Sequence, residues 1–182
     1  MGKIEGSWSG MRKYLEKEVL ADCMKGRVRY NCTRFTGMEA DHLFELYIDD
    51  ALVKRFSLET VNSYFIAREH REDRKPYGAG EYWDGFWKQL AGAKMQDRTE
   101  YTDDEFCDAL KEYRNQDISS SIHSENPLVL MFAVLDRRVG IRRLAQLGNS
   151  FVSQPEWLQN VLNNRLDAEN PTDDKSRLGD IK

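Results

Sequence analysis

The segment NPLVLMFAVLDRRVGIRRLAQL, residues 126–147, is the only place in the chain where a long apolar run meets concentrated positive charge. Its eight consecutive apolar residues, 128–135, leave no polar face, so a helix formed by them is expected to be buried on all sides. A run of this length is also compatible with a central strand. Asn126 is a favourable N-cap, and Pro127 suits the first turn of a helix. We therefore predict a buried helix that begins at Asn126-Pro127.

Positive charge follows this run on both sides of Gly140, as Arg137, Arg138, Arg142 and Arg143. We expect Gly140 to break the helix or to let two short helices meet. Guanidinium groups bind carboxylates and phosphates in bidentate fashion, so one hypothesis is a binding site for an anion or an acidic partner. The alternative is structural, because arginines also stabilise the last turn of a helix and pair with acids elsewhere in the fold. Residues 97–117 contain eight acids and three bases, which favours the structural alternative.

Aromatic residues are concentrated in the segment PYGAGEYWDGFWKQL, residues 76–90. Trp83, Phe86, Trp87 and Leu90 recur at helical spacing, which predicts an amphipathic helix. Packing against the core is the favoured interpretation of such a stripe. The alternative is an interface anchor through Trp83 and Trp87, because tryptophan is enriched among the residues that dominate binding energy. The charged run 68–75 before this segment is predicted to be a mobile loop.

The N-terminal part of the chain shows both helical and strand periodicity. A helix is predicted over residues 9–24, with one apolar face formed by Trp8, Met11, Leu15, Val19 and Cys23 and with Gly26 beyond its end. Alternating or continuous apolar residues predict strands at 28–33, 43–48 and 52–56. Because their connections are short, with a turn at Asp49-Asp50, the strands are expected to pair as an antiparallel meander. Ser57 is expected to cap a helix over residues 58–68.

The C-terminal part contains helix-start signals only. Thr102 to Glu105 has the pattern of a capping box, and Pro155 opens a last helix with an apolar stripe. The predicted fold is therefore α+β: a three-stranded antiparallel meander flanked by helices, followed by a mostly helical C-terminal half. Residues 1–169 are expected to form a single domain, with an α-β-β-β-α half to about residue 75 and a helical half over 76–169. Residues 170–182 have almost nothing to bury and are predicted to be disordered.

Composition excludes several classes of function. The formal net charge is −4, which argues against nucleic-acid binding, since phosphate binding relies on clustered Lys and Arg across a whole face. The longest apolar run is too short to span a membrane, and the N-terminus has no signal-peptide pattern, so a cytoplasmic protein is expected. Three dispersed cysteines and three histidines form no metal-binding pattern, and we expect no metal and no cofactor.

Catalytic motifs are not evident in the sequence. His42 lies beside a predicted strand with no nucleophile near it in sequence, and His123 follows a serine run that is typical of a loop. Gly78-Ala79-Gly80 is too short for a phosphate-binding loop and does not follow a strand. Carboxylates and arginines could still be assembled into a site by the fold, which sequence alone does not reveal.

The chain resembles a family of small bacterial proteins to which no function is assigned. The resemblance rests mainly on a segment of the form N-P…L-D-R-R-x-G-x-x-R-L, from Asn126 to Leu144. Weaker parts of it are residues 7–11, residues 26–30, Pro155, Trp157 and Arg165-Leu166. It implies a compact intracellular protein and supplies no reaction, ligand or catalytic residue.

The sequence therefore supports two hypotheses from different classes. The first is a non-enzymatic cytoplasmic interaction or accessory protein, immunity-like or regulatory, that binds a protein partner or a second copy of the chain. Its binding residues would be Arg137, Arg138, Arg142, Arg143, Trp83 and Trp87. The second is an enzyme that acts on an anionic small molecule through carboxylates and arginines. A deep pocket with convergent polar groups would favour the second hypothesis.

Overall fold

A computed structural model describes residues 7–34, 42–68 and 80–170. The three strands are β1 (Val28–Arg34), β2 (His42–Ile48) and β3 (Ala51–Phe56). The eight α-helices of the described residues are α1 (Trp8–Lys13), α2 (Leu58–Arg68), α3 (Gly80–Gly92), α4 (Asp103–Asn115), α5 (Ile118–Ser121), α6 (Pro127–Leu135), α7 (Ile141–Phe151) and α8 (Glu156–Glu169). The predicted α+β class, with a mostly helical C-terminal half, is confirmed. The predicted loop (beyond Arg68) and the predicted tail (beyond Asn170) lie outside the described residues.

The sheet is the predicted antiparallel meander, in the order β1-β2-β3. A two-residue turn joins β2 to β3, and both of its residues, Asp49 and Asp50, have positive φ angles of 50° and 62°. Positive φ at both central positions matches the twist of the flanking strands, and aspartate tolerates it better than most residues do. A bulge at Leu46/Tyr47 then shifts the register, so that Leu46 pairs with Lys54 and Tyr47 pairs with Leu52.

The prediction of a single helix over residues 9–24 is wrong. Helix α1 is followed directly by a π-helical turn at Tyr14–Glu18, where the helix ends. A separate 3-10 turn follows at Asp22–Met24. Between these turns the backbone of Leu20 pairs with that of Asp136: the N–H of Ala21 donates to Leu135 O (2.9 Å), and the N–H of Arg137 donates to Val19 O (2.8 Å). These bonds replace helical ones, and so the helix ends before the apolar spacing does.

Helix α6 is the centre of the main core, as the apolar run predicts. All nine of its residues are buried, and it packs against α4 and α8. Asn126 caps it by accepting a hydrogen bond from the N–H of Leu128 (3.0 Å). Phe106 of α4 links α6 to the inner face of the sheet, with ring centroids 5.4 Å from Phe132 and 4.7 Å from Phe44. The core therefore lies between the sheet and the C-terminal helices.

Helices α2 and α3 form a second, smaller apolar cluster that is separate from this core. Its buried members are Val61, Phe65 and Phe86. The aromatic segment is helical, as predicted, but it packs on α2 and not on the main core. Because this cluster contains only three buried side chains, it contributes much less apolar burial than the main core does.

The capping box at the start of α4 is present in full. The N–H of Glu105 donates to Thr102 Oγ1 (3.1 Å), and the N–H of Thr102 donates to Glu105 Oε2 (2.8 Å). We expect Thr102→Ala to lower the free energy of unfolding by about 1 kcal/mol, because it leaves the N–H of Glu105 without its acceptor. Urea denaturation provides the measurement.

Thr102→Ser is the matched control, because it keeps the hydroxyl group that caps the helix. We expect this control to lie within about 0.5 kcal/mol of the wild type. Equal stability of the alanine and serine variants would show that the cap contributes nothing measurable.

Candidate functional site

The first turn of α7 carries two of the four predicted arginines. Gly140 is the N-cap and supplies no side-chain hydrogen bond, and the turn contains no acidic residue. Arg142 and Arg143 are both exposed, and neither guanidinium group has a hydrogen bond or ion pair within the described residues. Below them, Leu144 and Leu147 are buried, which fixes the helix to the core. Two solvated guanidinium groups therefore project from a rigid helix start.

Arg138, by contrast, belongs to an internal network. Its Nε donates to Asp136 Oδ2 (2.9 Å) and its Nη2 donates to the same oxygen (2.6 Å), while its backbone N–H donates to Asp136 Oδ1 (2.7 Å). Asp136 is completely buried and also accepts a hydrogen bond from the hydroxyl of Tyr113. Burial and this carboxylate raise the pKa of Tyr113, which keeps its hydroxyl protonated and donating. Arg138 thus has the structural role that was the alternative for the whole cluster.

Arg137 lies between these two cases. Its side chain is exposed, and it is near enough to Asp22 to help lower the pKa of that carboxyl, after the larger effect of the hydrogen bond from Lys25. The acids of segment 97–117 have other partners, including Lys54 for Glu100 and Arg98 for Glu105. We call Arg137, Arg142 and Arg143 the arginine surface.

The two predicted tryptophans lie on α3 and differ in exposure. Trp83 is half-buried against Phe86, with ring centroids 5.4 Å apart. Trp87 also contacts Phe86, at 5.0 Å, but 46% of its surface is exposed. The exposed large apolar side chains of the described residues are Leu52, Trp87 and Val152. The stripe therefore serves partly as core of the small cluster and partly as exposed aromatic surface.

A cleft of about 700 Å³ lies where the β2–β3 ladder ends and the chain turns into α2. Its walls include His42, Arg55, Ser57, Glu59, Thr60, Ser63, Tyr64 and Glu100. The sequence shows no motif for this site: residues 55–64 supply most of the walls, and His42 and Glu100 come from distant parts of the chain. The volume is within the range of small-molecule sites and so meets the size criterion of the enzyme hypothesis, but Arg55 and Glu100 are each already engaged in an ion pair.

His42 is held in place at one wall of the cleft. Its ring stacks on Phe44, with centroids 5.8 Å apart and planes 9° apart. Its backbone N–H donates to Asp103 Oδ2 (3.1 Å), and the same oxygen lies 3.8 Å from Nδ1. Asp103 is 61 residues further along the chain, so this pair is formed by the fold alone.

The charged groups near the cleft are largely paired. Burial lowers the pKa of Lys54, while its ion pair with Glu100 opposes that shift. Arg55 donates from Nε to Glu45 Oε1 (3.0 Å), and its side chain is 54% exposed. Its pairing with Glu45 engages Nε and leaves the two terminal nitrogens without a hydrogen bond among the described residues.

Burial raises the pKa values of the three cysteine thiols in the described residues. Burial raises the pKa of Cys32 to about 11 and that of Cys107 to about 12, so both thiols are protonated at neutral pH. Residues 7–34, 42–68 and 80–170 contain no group of three or more side chains placed to hold a metal ion. None of the helices in these ranges has the length and apolar composition required to cross a membrane.

A family model matches residues 7–166 of the chain, which is most of its length. The chain belongs to the SF0329 protein family. The match to the SF0329 family takes in every segment on which the resemblance rests, including residues 126–144 and Trp157. No curated protein and no solved structure matches this SF0329 family member.

Proposed function

We propose that this SF0329 family member is a non-enzymatic accessory protein of the bacterial cytoplasm that binds an acidic surface of another protein. The binding site is the arginine surface. The observation that carries the proposal is that Arg142 and Arg143 are exposed in the first turn of α7 and have no acidic partner within the described residues. A regulatory or immunity-like role fits such a binding protein.

The position of these arginines is unfavourable for the isolated chain. Cations near a helix N-terminus oppose the helix dipole, whereas carboxylates there are stabilising. The first turn of α7 contains two arginines and no acid, and its N-cap is a glycine without a side-chain acceptor. A carboxylate from a partner would remove this imbalance, because it would pair with the guanidinium groups and face the positive end of the helix.

Protein is favoured over nucleic acid because the charge is local. The chain as a whole is acidic, with a net charge of −4, so a long phosphate backbone would be repelled outside the arginine surface. An acidic protein segment needs only a small basic area. The exposed ring of Trp87, with the half-buried Trp83 beside Phe86, is the second candidate contact for the partner, since aromatic and arginine side chains dominate binding energy.

The test compares Arg142→Glu/Arg143→Glu with the control variant Lys17→Glu/Lys94→Glu. Both variants change the net charge equally, and both lysines are exposed. A photoreactive amino acid in place of Ala145, which is exposed one turn after Arg142, would crosslink the partner in cells. We expect wild type and control to yield the same crosslinked peptide, rich in Asp and Glu, and the arginine variant to yield at least about ten-fold less of it.

Three results would contradict the proposal. One is equal crosslinking by the arginine and lysine variants, which would place the contact elsewhere. Another is a crosslinked peptide without acidic residues. The third is a peptide from this chain itself, accompanied by a dimer in sedimentation experiments that the arginine variant abolishes. That result would make the arginine surface a contact between two copies.

A further inference from the structure

We propose that the cleft between the β2–β3 ladder and α2 binds a small organic anion, a carboxylate or phosphate that also carries a hydroxyl or amino group. This site is separate from the arginine surface, and the proposal does not depend on the protein partner. It rests on the volume of about 700 Å³ and on the hydrogen-bond donors that line it.

Arg55 is the main recognition group of the cleft. Because its Nε is engaged by Glu45, the side chain is oriented at its base, and the two terminal nitrogens remain to bind an anion. Glu45 is itself fixed by the hydroxyl of Tyr47 (2.9 Å) and the amide of Asn31 (3.2 Å). An arginine held in this way loses little conformational freedom when it binds a ligand, which favours affinity.

Hydroxyl groups from two turns of α2 supply further donors. The hydroxyl of Tyr64 accepts a hydrogen bond from Arg68 Nη1 (2.7 Å), so its own proton is available to a ligand. Ser63 is exposed beside it. The hydroxyls of Ser57 and Thr60, by contrast, are used within the helix cap: Ser57 Oγ accepts from the N–H of Thr60 (3.2 Å) and donates to Thr60 Oγ1 (3.5 Å), and the hydroxyl of Thr60 donates to Ser57 O (2.9 Å). Tyr64 and Ser63 are therefore the hydroxyls that remain for a ligand.

His42 provides a positioned ring in the wall of the cleft. Stacking on Phe44 and the proximity of Asp103 to Nδ1 leave Nε2 as the nitrogen that is free to contact a ligand. Since the ring is fixed on one side by an apolar contact and on the other by a carboxylate, it is suited to hold one ligand oxygen at a defined place.

The acids in the cleft restrict what else the ligand carries. Glu100 is neutralised by its ion pair with Lys54, so it repels an anion less than a free carboxylate would. Glu59 is exposed in the first turn of α2 and remains an acceptor. A simple anion would leave Glu59 without a partner, whereas a hydroxyl or amino group on the same ligand would donate to it. A ligand with both kinds of group therefore fits the walls better than inorganic phosphate does.

Titration of the full chain with three probes tests this inference: O-phosphoserine, malate and inorganic phosphate. Backbone amide and histidine ring resonances in NMR spectra provide the readout. We expect one of the two organic probes to shift the resonances of His42 and of the first turn of α2, and inorganic phosphate to bind more weakly. The stronger organic probe decides whether the preferred anionic group is a phosphate or a carboxylate.

The variants for this test are Arg55→Gln and Tyr64→Phe, and Arg143→Gln is the control from the arginine surface. We expect Arg55→Gln to weaken binding of the organic probe about ten-fold or more and Tyr64→Phe to weaken it by a smaller factor, with the control unchanged. Spectra of the variants without ligand show whether the fold is retained. Because Tyr64→Phe keeps the aromatic ring, it still tests the site if Arg55→Gln disturbs the sheet.

Two outcomes would overturn the inference. The first is no shift at the cleft with any of the three probes. The second is binding that Arg143→Gln weakens and the cleft variants do not, because the anion would then be bound at the arginine surface. Neither outcome bears on the crosslinking test of the protein partner, so the two proposals fail separately.

Discussion

Phe132→Ala is expected to lower the free energy of unfolding by about 3–5 kcal/mol, the range for truncation of a buried aromatic residue. Phe132 lies in the middle of α6 and is 2% exposed. Its ring contacts Phe106 and Tyr113, with centroids 5.4 Å away in each case. Alanine would remove this ring at the point where α6 meets α4, and a fully buried helix has little freedom to close the resulting cavity.

Urea denaturation of Phe132→Ala measures the effect, with Val152→Ala as its control. Val152 is 77% exposed, so its truncation is expected to change the stability by less than about 0.5 kcal/mol. A loss below about 1 kcal/mol for Phe132→Ala would show that α6 is not the centre of the core.

The elements that the sequence predicts correctly are those specified by neighbouring residues. Asn126 and Pro127 mark the start of α6, and the helix has the buried, non-amphipathic character that its composition requires. Thr102 and Glu105 form both hydrogen bonds of the capping box. In each case the interacting groups are within four residues of one another, and so the local sequence pattern is sufficient to predict the contact.

The helix predicted over residues 9–24 shows where such reasoning fails. The spacing of Met11 and Leu15 is helical and both are buried, but the chain leaves the helix so that Leu20 can pair with Asp136. These two residues are more than one hundred positions apart. No periodicity within a short window contains information about that pairing, and a π-helical turn is rare enough that no pattern would predict it.

The candidate sites divide in the same way. The sequence does not distinguish the roles of the four arginines in the cluster. In the structure, Arg138 is bound to a buried carboxylate, while Arg142 and Arg143 are solvated. The difference is that the carboxylate of Asp136, whose backbone pairs with Leu20, is completely buried and bonds to Arg138 alone among the four. The cleft depends even more on the fold, since it brings His42 of β2 to Asp103 of α4 and to the start of α2.

The network around Asp136 is expected to be the most sensitive polar site in the protein. Asp136→Asn should lower the free energy of unfolding by about 2–4 kcal/mol, which is below the largest values for broken buried ion pairs. The expected loss is below those largest values because the side chain of Arg138 is 48% exposed and can be solvated by water when its partner is lost. The main cost falls on Tyr113, which is 1% exposed and loses the charged acceptor of its hydroxyl.

Arg138→Met and the double variant Asp136→Asn/Arg138→Met complete a double-mutant cycle for this pair. Arg138→Met should also be destabilising, because it leaves a completely buried carboxylate with only Tyr113 and a backbone N–H as donors. The double variant contains no charge at this site, so its loss of stability should be smaller than the combined losses of the single variants by about 1–3 kcal/mol. Losses that simply add would mean that the ion pair does not couple the two residues, and the structural role assigned to Arg138 would then be wrong.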